Sequence, residues 1–363
     1  MSPGTADPIG VVAERRGALG RIVLDRPAHR NAIDAGMRRA ISEALTRWAR
    51  DAEIYAIAFS SANPRVFCAG GDVRVMSDLA ARDPAAAQAE FAEELLLVWQ
   101  IECFPKPIVA LIDGAVLGTG VGMTLYGTHR VAGRGYRLAM PEAAIGFHPD
   151  VGVTRALARA PGGIGRLAGL SGRFLSRGEA WRAGLATHCI DADRFAHIEE
   201  RLADADPVDP LLDGLHRPDA GDAEETVAER IARRCMLEAA GVEAVLAALA
   251  AIADTEPEAD RLHAEIMRKC PTSLVATDRL ISHAATLGIA DTLRHDYRIG
   301  SRLMLRPDFR EGVRAVLVDK DGAPRWQPAT LRDIKPAEID ALFEAPPGGD
   351  LKLPPADAIW SQR

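Results

Sequence analysis

The sequence has few aromatic residues, no excess of positive charge and no paired cysteines. Aromatic residues make up 5% of the 363 residues, and the formal net charge is -7. Nucleic-acid binding needs a basic stripe that neutralises phosphates, so this composition argues against a nucleic-acid partner. The five cysteines form no CxxC pair and have no histidines at zinc-ligand spacing: Cys68, Cys103, Cys189, Cys235 and Cys270. We therefore expect reduced, packed thiols and no metal site.

Segments for targeting or for crossing a membrane are also lacking. Residues 1–10 are polar and do not have the charged and apolar regions of a signal peptide, so we expect a cytoplasmic protein. The long apolar stretch at residues 107–127 (PIVALIDGAVLGTGVGMTLYG) is interrupted by Asp113 and by repeated glycines. A buried strand, a glycine turn and a buried helix have the same hydropathy as a membrane span, and we favour that interpretation. No membrane partner is expected.

Periodicity indicates an α/β chain. β-Branched runs at residues 21–25, 54–60 and 108–112 are typical of strands. Apolar residues recur at helical spacing after Asp34, which is a predicted N-cap, and again over residues 90–101. Strands and helices alternate and the strands are almost wholly apolar, which favours parallel pairing.

The organisation changes after about residue 185, where strand signals fade. Residues 204–222 are rich in Asp, Pro and Gly and are predicted to be an exposed connection, beyond which helical patterns dominate. We predict three parts: a core with the active site over residues 10–200, a helical region over 201–345, and an extended or mobile tail over 346–363.

Two glycine-rich turns follow predicted strands. They are FCAGGD at residues 67–72 and GTGVG at residues 118–122. Backbone N–H groups in such turns can point at a negative group, and two turns can each supply one N–H to a developing oxyanion. Close packing of helix on strand is one alternative. A dinucleotide site is another, but the spacing is GxGxG rather than GxGxxG.

Two carboxylates lie in one short segment, MPEAAIGFHPDVG at residues 140–152. Glu142 follows a proline among small apolar residues, where burial would raise the pKa of its carboxyl; a solvated helix cap is the alternative. Asp150 lies eight residues later, across a Pro/Gly turn that can fold back. His148 is a candidate base, although a histidine beside proline is more often a packing residue. The absence of GxSxG and HExxH argues against an α/β-hydrolase and a zinc enzyme.

Together, FCAGGD, PIVALIDGAVLGTGVG and MPEAAIGFHPDVG resemble the crotonase, or enoyl-CoA hydratase/isomerase, superfamily in order and spacing. Within it the sequence is most similar to the 3-hydroxyisobutyryl-CoA hydrolases. That similarity continues into DFREGVRA at residues 308–315 and DKD at 319–321, whereas a generic hydratase resembles the chain only to about residue 270. The resemblance implies a crotonase-like α/β fold of repeated ββα turns with a helical C-terminal region. It also implies an acyl-CoA substrate, with coenzyme A as part of the substrate and no separate cofactor.

The resemblance also implies roles for individual residues. Gly71 and Thr119 would hold the thioester carbonyl through their backbone N–H groups. A hydratase of this superfamily uses two glutamates; here the first position is Gly122 and the second is Glu142. The hydrolase branch instead pairs the retained glutamate with Asp150. Glu142 would attack the thioester and form a mixed anhydride, or would activate water as a general base, and both routes stay open.

Substrate contacts are implied for Glu94, Ala69 and Asp72, although a solvated helix glutamate is the alternative for the first. The sequence departs from the family pattern at Thr119, where relatives usually have glycine, and at His148, which could alter acyl-chain preference. Arginines close to the turns are candidates for the CoA phosphates: Arg26, Arg30 and Arg74. An enoyl-CoA hydratase/isomerase and a non-catalytic acyl-CoA binder remain as alternatives. Members of the superfamily often form homo-oligomers, and the sequence leaves the oligomeric state of this chain open.

Overall fold

The structure is a computed structural model that describes residues 9–360. Within that range the strands are β1 (Val11–Arg16), β2 (Leu19–Leu24), β3 (Ala56–Ser61), β4 (Val66–Cys68), β5 (Ile108–Ile112), β6 (Ala115–Leu117), β7 (His129–Ala132), β8 (Arg137–Ala139), β9 (Leu175–Ser176) and β10 (His188–Cys189). Most of residues 1–10, on which the prediction about targeting rests, lie outside the described residues.

The strands form two sheets. The larger has six strands in the order β1-β2-β3-β5-β7-β10, and the smaller has four in the order β4-β6-β8-β9. Pairing is parallel except at β1–β2 and β8–β9. From β3 to β8, successive strands alternate between the two sheets, so each pair of strands and its following helix makes one turn of a superhelix. This alternation is the arrangement of repeated ββα turns that the resemblance implies.

Helices cover the sheets and make up most of the second half of the chain. They are α1 (Ala35–Arg50), α2 (Val73–Arg82), α3 (Pro84–Glu102), α4 (Thr119–Leu125), α5 (Val153–Arg159), α6 (Ile164–Ser171), α7 (Arg177–Arg182), α8 (Phe195–Ala203), α9 (Val208–Leu215), α10 (Ala220–Ala223), α11 (Val227–Cys235), α12 (Val242–Ala250), α13 (Pro257–Met267), α14 (Pro271–Ala284), α15 (Ile289–Leu303), α16 (Pro307–Val313) and α17 (Pro336–Phe343). A π-helical turn, Arg314–Val318, continues α16.

Local patterns predicted the elements around the glycine turns. Asp34 caps α1, since its side chain accepts a hydrogen bond from the Met37 N–H at 2.9 Å. The apolar stretch at residues 107–127 contains β5, β6 and α4, so its hydropathy comes from buried elements of the core. Among residues 9–360, no helix is both long enough and apolar enough to cross a membrane.

Residues 204–222 are mostly exposed, as their composition predicts, but they also contain regular structure that the composition did not predict. They contain α9 and α10, and α9 packs Leu212, which is fully buried, against the larger sheet. Asp222 of α10 is also buried, and its carboxylate accepts a hydrogen bond from the Arg177 side chain of α7 at 2.9 Å. Asp219 caps α10, because its side chain accepts a hydrogen bond from the Asp222 N–H.

One hydrophobic core joins the first half of the chain to the C-terminal helices. The described part of the C-terminal segment lies along this core. Leu351 is buried, and the Trp99 indole N–H donates a hydrogen bond to the Pro354 carbonyl at 2.8 Å. The Trp360 indole N–H donates to the Cys103 carbonyl at 2.7 Å, so contacts with the core continue to the end of the described chain.

Candidate active site

A cavity of about 590 Å³ lies between the two glycine turns and the C-terminal helices. All seven residues predicted for the site line it: Ala69, Gly71, Asp72, Glu94, Thr119, Glu142 and Asp150. Its apolar walls come from both halves of the chain and include Phe91, Phe147, Met304, Phe309 and Leu317. The fold therefore brings together residues that are as much as 81 positions apart within the predicted set, which runs from Ala69 to Asp150.

The two glycine turns meet at this cavity. Gly70 and Gly118 have φ values of +97° and +47°, which favour glycine. A Cβ atom built on Gly118 would lie 3.4 Å from the Gly70 Cα and 3.1 Å from the Glu142 Oε1. A Cβ atom on Gly71 would lie 3.1 Å from the Thr119 Oγ1. The turns and the Glu142 carboxyl are thus in direct contact, with no space between them for a larger side chain.

Two backbone N–H groups of these turns are free of secondary-structure pairing. The Ile33 N–H donates to the Gly70 carbonyl at 2.8 Å and the Asp72 N–H donates to the Ile33 carbonyl at 3.0 Å. Because successive residues of an extended segment face opposite sides, the N–H of Gly71 faces away from Ile33. Thr119 is the first residue of α4, so its N–H has no acceptor within the helix. Its φ lies outside the left-handed region, so threonine is tolerated at this position.

The Glu142 carboxyl is buried beside these turns. It begins a 3-10 turn, Glu142–Ile145, directly after Pro141. Among the described residues its Oε2 atom has no hydrogen-bond partner, and burial together with the nearby negative charge of Glu94 raises the pKa of Glu142 to about 8. The solvated-cap alternative is therefore wrong. A carboxylate with such a pKa is a stronger base than an ordinary glutamate.

Two further carboxyl groups share the cavity with Glu142. Asp150 is 6% exposed, and burial, followed by the negative charges of Glu94, Glu142 and Asp296, raises its pKa well above the usual range of an aspartate. Glu94 of α3 is 8% exposed and accepts a hydrogen bond from the Thr119 hydroxyl at 2.5 Å. The solvated-helix alternative for Glu94 is therefore wrong, and the threonine that departs from the family pattern orients it.

The three arginines suggested for the CoA phosphates have different surroundings. Arg30 lines the cavity, next to the FCAGGD turn. Arg26 is engaged with Asp34 and Asp72, at 3.3 and 3.4 Å, and Arg74 donates a hydrogen bond to the Leu317 carbonyl. Of the three, Arg30 is the one that lines the cavity and is placed to meet an anionic part of a ligand. Asp72 also lines the cavity, but it is paired with Arg26.

No group of three or more His, Cys, Asp or Glu residues in the described part of the chain is arranged to hold a metal ion. The five cysteines are unpaired, and burial raises the pKa of Cys68, the one closest to the glycine turns, to about 12. A thiol with that pKa is protonated at neutral pH and is a poor nucleophile. The carboxyl groups that line the cavity are therefore the candidates for a reactive group.

Comparison with known proteins identifies the family. The family model for enoyl-CoA hydratase/isomerase matches residues 19–343. The chain belongs to this family. It is 36% identical to the mitochondrial 3-hydroxyisobutyryl-CoA hydrolase of Rattus norvegicus, over 94% of this chain and 91% of that one. It is 34% identical to the enzyme of the same name from Homo sapiens, over 97% and 93% of the two chains.

Solved structures of the family share the fold over nearly the whole chain. A carnitinyl-CoA dehydratase from Mycobacterium thermoresistibile is 33% identical and has a TM-score of 0.87, over 94% of this chain and 98% of that one. An enoyl-CoA hydratase from Rhodobacter sphaeroides is also 33% identical, with a TM-score of 0.86, over 95% and 100%. The crotonase-like fold expected from the sequence motifs is confirmed.

Gly122 occupies the position at which the resemblance places the first glutamate of a hydratase in this family. A Cβ atom built on Gly122 would lie 2.5 Å from the Val151 Cβ and 3.1 Å from the Val98 Cγ2. The Val151 side chain therefore fills the space that a larger residue at position 122 would need. Val151 itself has a φ of +52°, which is unusual for a β-branched residue.

Asp296 of α15 is a residue that the sequence reasoning missed. It is fully buried and accepts a hydrogen bond from the Gly152 N–H at 2.6 Å. The available signal was its position on the apolar face of a helix, together with Leu293 and Ile299. His148 lies beside Asp296 and does not line the cavity, so its candidate role as a base does not fit its position.

Proposed function

We propose that this protein hydrolyses 3-hydroxyisobutyryl-CoA, or a closely similar short 3-hydroxyacyl-CoA, to the free hydroxy acid and coenzyme A. The observation that carries the proposal is the buried Glu142 carboxyl, which lies beside Gly118 of the second glycine turn and lines one cavity with Gly71 and Thr119. Filling of the space at Gly122 by Val151 favours hydrolysis over hydration. The names of the relatives from Rattus norvegicus and Homo sapiens support the same activity.

The thioester carbonyl oxygen would accept hydrogen bonds from the N–H groups of Gly71 and Thr119. These groups would stabilise the negative charge that develops on the oxygen as the carbonyl carbon becomes tetrahedral. In one route the Glu142 carboxylate attacks that carbon, the C–S bond breaks, CoA leaves as a thiolate that is then protonated, and water hydrolyses the mixed anhydride. In the other route Glu142 takes a proton from water as the water oxygen attacks the same carbon; the C–S bond then breaks and the CoA thiolate leaves and takes up that proton.

The remaining carboxyl groups would recognise the acyl part. Asp150 lies on the loop after Glu142 and lines the cavity, and its carboxyl would bind the 3-hydroxyl of the substrate. Glu94, held by the Thr119 hydroxyl, would supply a second carboxyl contact to the acyl part. A hydroxyl group is a partner that a buried carboxyl needs, because an unsatisfied polar group in such a site is costly.

The apolar walls suit a short, branched acyl chain. Phe147 packs against Phe91 and Phe309, with ring centroids 5.8 and 5.4 Å apart. All three rings line the cavity and give it apolar walls. We therefore expect the enzyme to prefer acyl groups of about four or five carbons to long ones.

Release of free thiol from 3-hydroxyisobutyryl-CoA, followed with a thiol reagent, tests the proposed function. Turnover of at least one short 3-hydroxyacyl-CoA is expected. If neither this substrate nor any other short 3-hydroxyacyl-CoA releases thiol above the spontaneous rate, the proposal is wrong.

An enoyl-CoA hydratase or isomerase is the second candidate. It is favoured by the names of the two solved structures at 33% identity and by the presence of Glu94 as a second carboxylate near Glu142. Hydration would remove the enoyl absorbance of crotonyl-CoA. We expect that absorbance to stay constant, and a decline that depends on Glu142 would establish the second candidate instead.

The Asp150→Asn variant is expected to lose more activity with hydroxylated than with plain acyl-CoA. The amide keeps the size of the side chain but changes its hydrogen bonding to the 3-hydroxyl, so kcat/KM for 3-hydroxyisobutyryl-CoA should fall about 10-fold or more. Isobutyryl-CoA lacks only the hydroxyl and is the matched substrate. Equal losses with both substrates would contradict the contact with the hydroxyl.

The pH dependence of kcat/KM should follow the ionisation of Glu142. Both routes need its carboxylate, and the pKa of about 8 means that the protonated, inactive form predominates below that pH. We expect kcat/KM to rise about 10-fold per pH unit from about pH 6 and to level off above about pH 8. Rates measured without enzyme correct for spontaneous thioester hydrolysis. A plateau that is already reached at about pH 6 would show that another group controls the rate.

A further inference from the structure

The loop that carries Asp150 is attached to a carboxylate in the C-terminal helical region. Asp296 of α15 is fully buried, and its Oδ2 atom accepts the Gly152 N–H at 2.6 Å. Its Oδ1 atom lies 3.7 Å from the His148 Nε2 atom, and the imidazole is fully buried as well. His148 and Gly152, which lie two residues before and two residues after Asp150, are therefore both next to the carboxylate of Asp296.

Different side chains of this loop face the cavity and Asp296. Phe147 and Asp150 line the cavity, whereas His148 does not. Within residues 9–360, neither ring nitrogen of His148 has a hydrogen-bond partner, and the Asp296 carboxyl is the polar group beside the Nε2 atom. A buried polar group without a partner is costly, so the imidazole favours a position next to this carboxyl.

The backbone after Asp150 is in a conformation that needs support. Val151 and Gly152 have φ values of +52° and +79°, and a left-handed conformation is unfavourable for valine. The Gly152 carbonyl accepts a hydrogen bond from the Tyr126 hydroxyl at 2.5 Å, while its N–H is held by Asp296. Both polar groups of the Gly152 backbone are thus bound to side chains from other elements, directly after the strained residue.

We propose that Asp296 is a positioning residue that, with His148 and Tyr126, holds the 147–152 loop so that the Asp150 carboxyl faces the acyl group. This inference rests on the proposed function. Asp296 acts through the Gly152 backbone and does not touch the substrate. It therefore contributes to discrimination between acyl groups with and without a 3-hydroxyl, in addition to any contribution to folding.

Two substitutions at one position separate these contributions. In Asp296→Asn the amide oxygen still accepts the Gly152 N–H, whereas Asp296→Ala removes the acceptor. For Asp296→Ala, kcat/KM with 3-hydroxyisobutyryl-CoA should fall about 10-fold or more, and with isobutyryl-CoA less than about 3-fold. Asp296→Asn should keep most of the preference for 3-hydroxyisobutyryl-CoA over isobutyryl-CoA that Asp296→Ala loses. Tyr126→Phe removes a single hydrogen bond to Gly152 and should change the same ratio in the same direction, by a smaller factor.

Asp278→Ala is the matched control. Asp278 of α14 is also buried, at 7% exposure, is paired with Arg166 at 2.6 Å, and does not line the cavity. This variant should lose thermal stability but keep the substrate ratio. If Asp296→Ala and Tyr126→Phe are less stable but have the same ratio of kcat/KM for the two substrates as the unaltered protein, the role of Asp296 is only structural and the inference is wrong. Absence of hydrolysis by the unaltered protein would instead remove the proposed function, and this inference with it.

Discussion

The Glu142→Gln variant is expected to lose at least about 1,000-fold in the rate of thioester hydrolysis, because both proposed routes need the carboxylate as nucleophile or base. The amide has the same size and leaves the N–H groups of Gly71 and Thr119 in place. Binding of coenzyme A, measured by calorimetry, should therefore change little. Unchanged turnover would refute the role assigned to Glu142.

The same substitution should make the folded protein more stable at alkaline pH. Burial raises the pKa of Glu142 to about 8, so the folded state retains a proton that the unfolded chain releases at about its ordinary pKa. The contribution of Glu142 to the free energy of unfolding is therefore fully present below about pH 4.5 and is lost as the pH rises through about 8. Glutamine does not ionise. Glu142→Gln should thus be more stable than the unaltered protein by a few kcal/mol near pH 9, and the difference should vanish near pH 4.5.

Glu229→Gln provides a control of opposite sign. Burial acts to raise the pKa of Glu229, but hydrogen bonds from Arg182 and Thr226 outweigh it and lower the pKa. The ionised form is therefore favoured in the folded state, and that stability is present above the ordinary pKa of glutamate. Glu229→Gln should lower the free energy of unfolding at neutral and alkaline pH. If both variants shift stability in the same direction at pH 9, the Glu142 carboxyl does not have the raised pKa that follows from its burial without a hydrogen-bond partner.

The Gly122→Ala variant is expected to lose about 2 kcal/mol or more of stability, although alanine normally stabilises a helix relative to glycine by about 1 kcal/mol. The cause is the Val151 side chain, whose Cβ would lie 2.5 Å from the new methyl group. Displacement of Val151 would also move Asp150, the residue before it. Hydrolysis of 3-hydroxyisobutyryl-CoA should therefore fall, and no hydration of crotonyl-CoA should appear.

A double-mutant cycle with Val151→Gly tests this cause. Glycine removes the side chain in contact and also tolerates the φ of +52°, so the double variant should be more stable than the sum of the single changes predicts. Gly214→Ala is the control: it lies in α9 and a Cβ atom there would meet nothing within 4 Å. Urea unfolding of all variants gives the comparison. If Gly122→Ala is as stable as Gly214→Ala, the Val151 side chain can move away from the new methyl group with little loss of stability, and the predicted clash is wrong.

The parts of the fold that could be predicted from sequence depend on local patterns. The cap at Asp34, the strand Ile108–Ile112 and the glycine turns each follow from residues that are neighbours in the chain. Residues 204–222 could not be predicted in this way. Their helices depend on Arg177, which lies 45 positions before Asp222, and on apolar contacts with the larger sheet.

The candidate site shows the same division. The motifs predicted seven residues that the fold does bring to one cavity, but they gave no reason for the change at Gly122 or for the threonine at position 119. The first depends on contact with Val151 and the second on a hydrogen bond to Glu94. Asp296, which holds the loop of Asp150, comes from a helix 144 positions beyond Gly152. Contacts at such separations leave only a weak trace in a single sequence.

The packing of Val151 against Gly122 also limits how this chain can evolve. A single substitution that introduces glutamate at position 122 meets the Val151 side chain before its carboxylate can reach the cavity. Two-glutamate chemistry would require a prior change at Val151, and that residue adjoins Asp150, which lines the cavity. On the proposed function, such an intermediate would lose acyl selectivity before it gained a new reaction. This order of steps makes glutamate at position 122 difficult to reach.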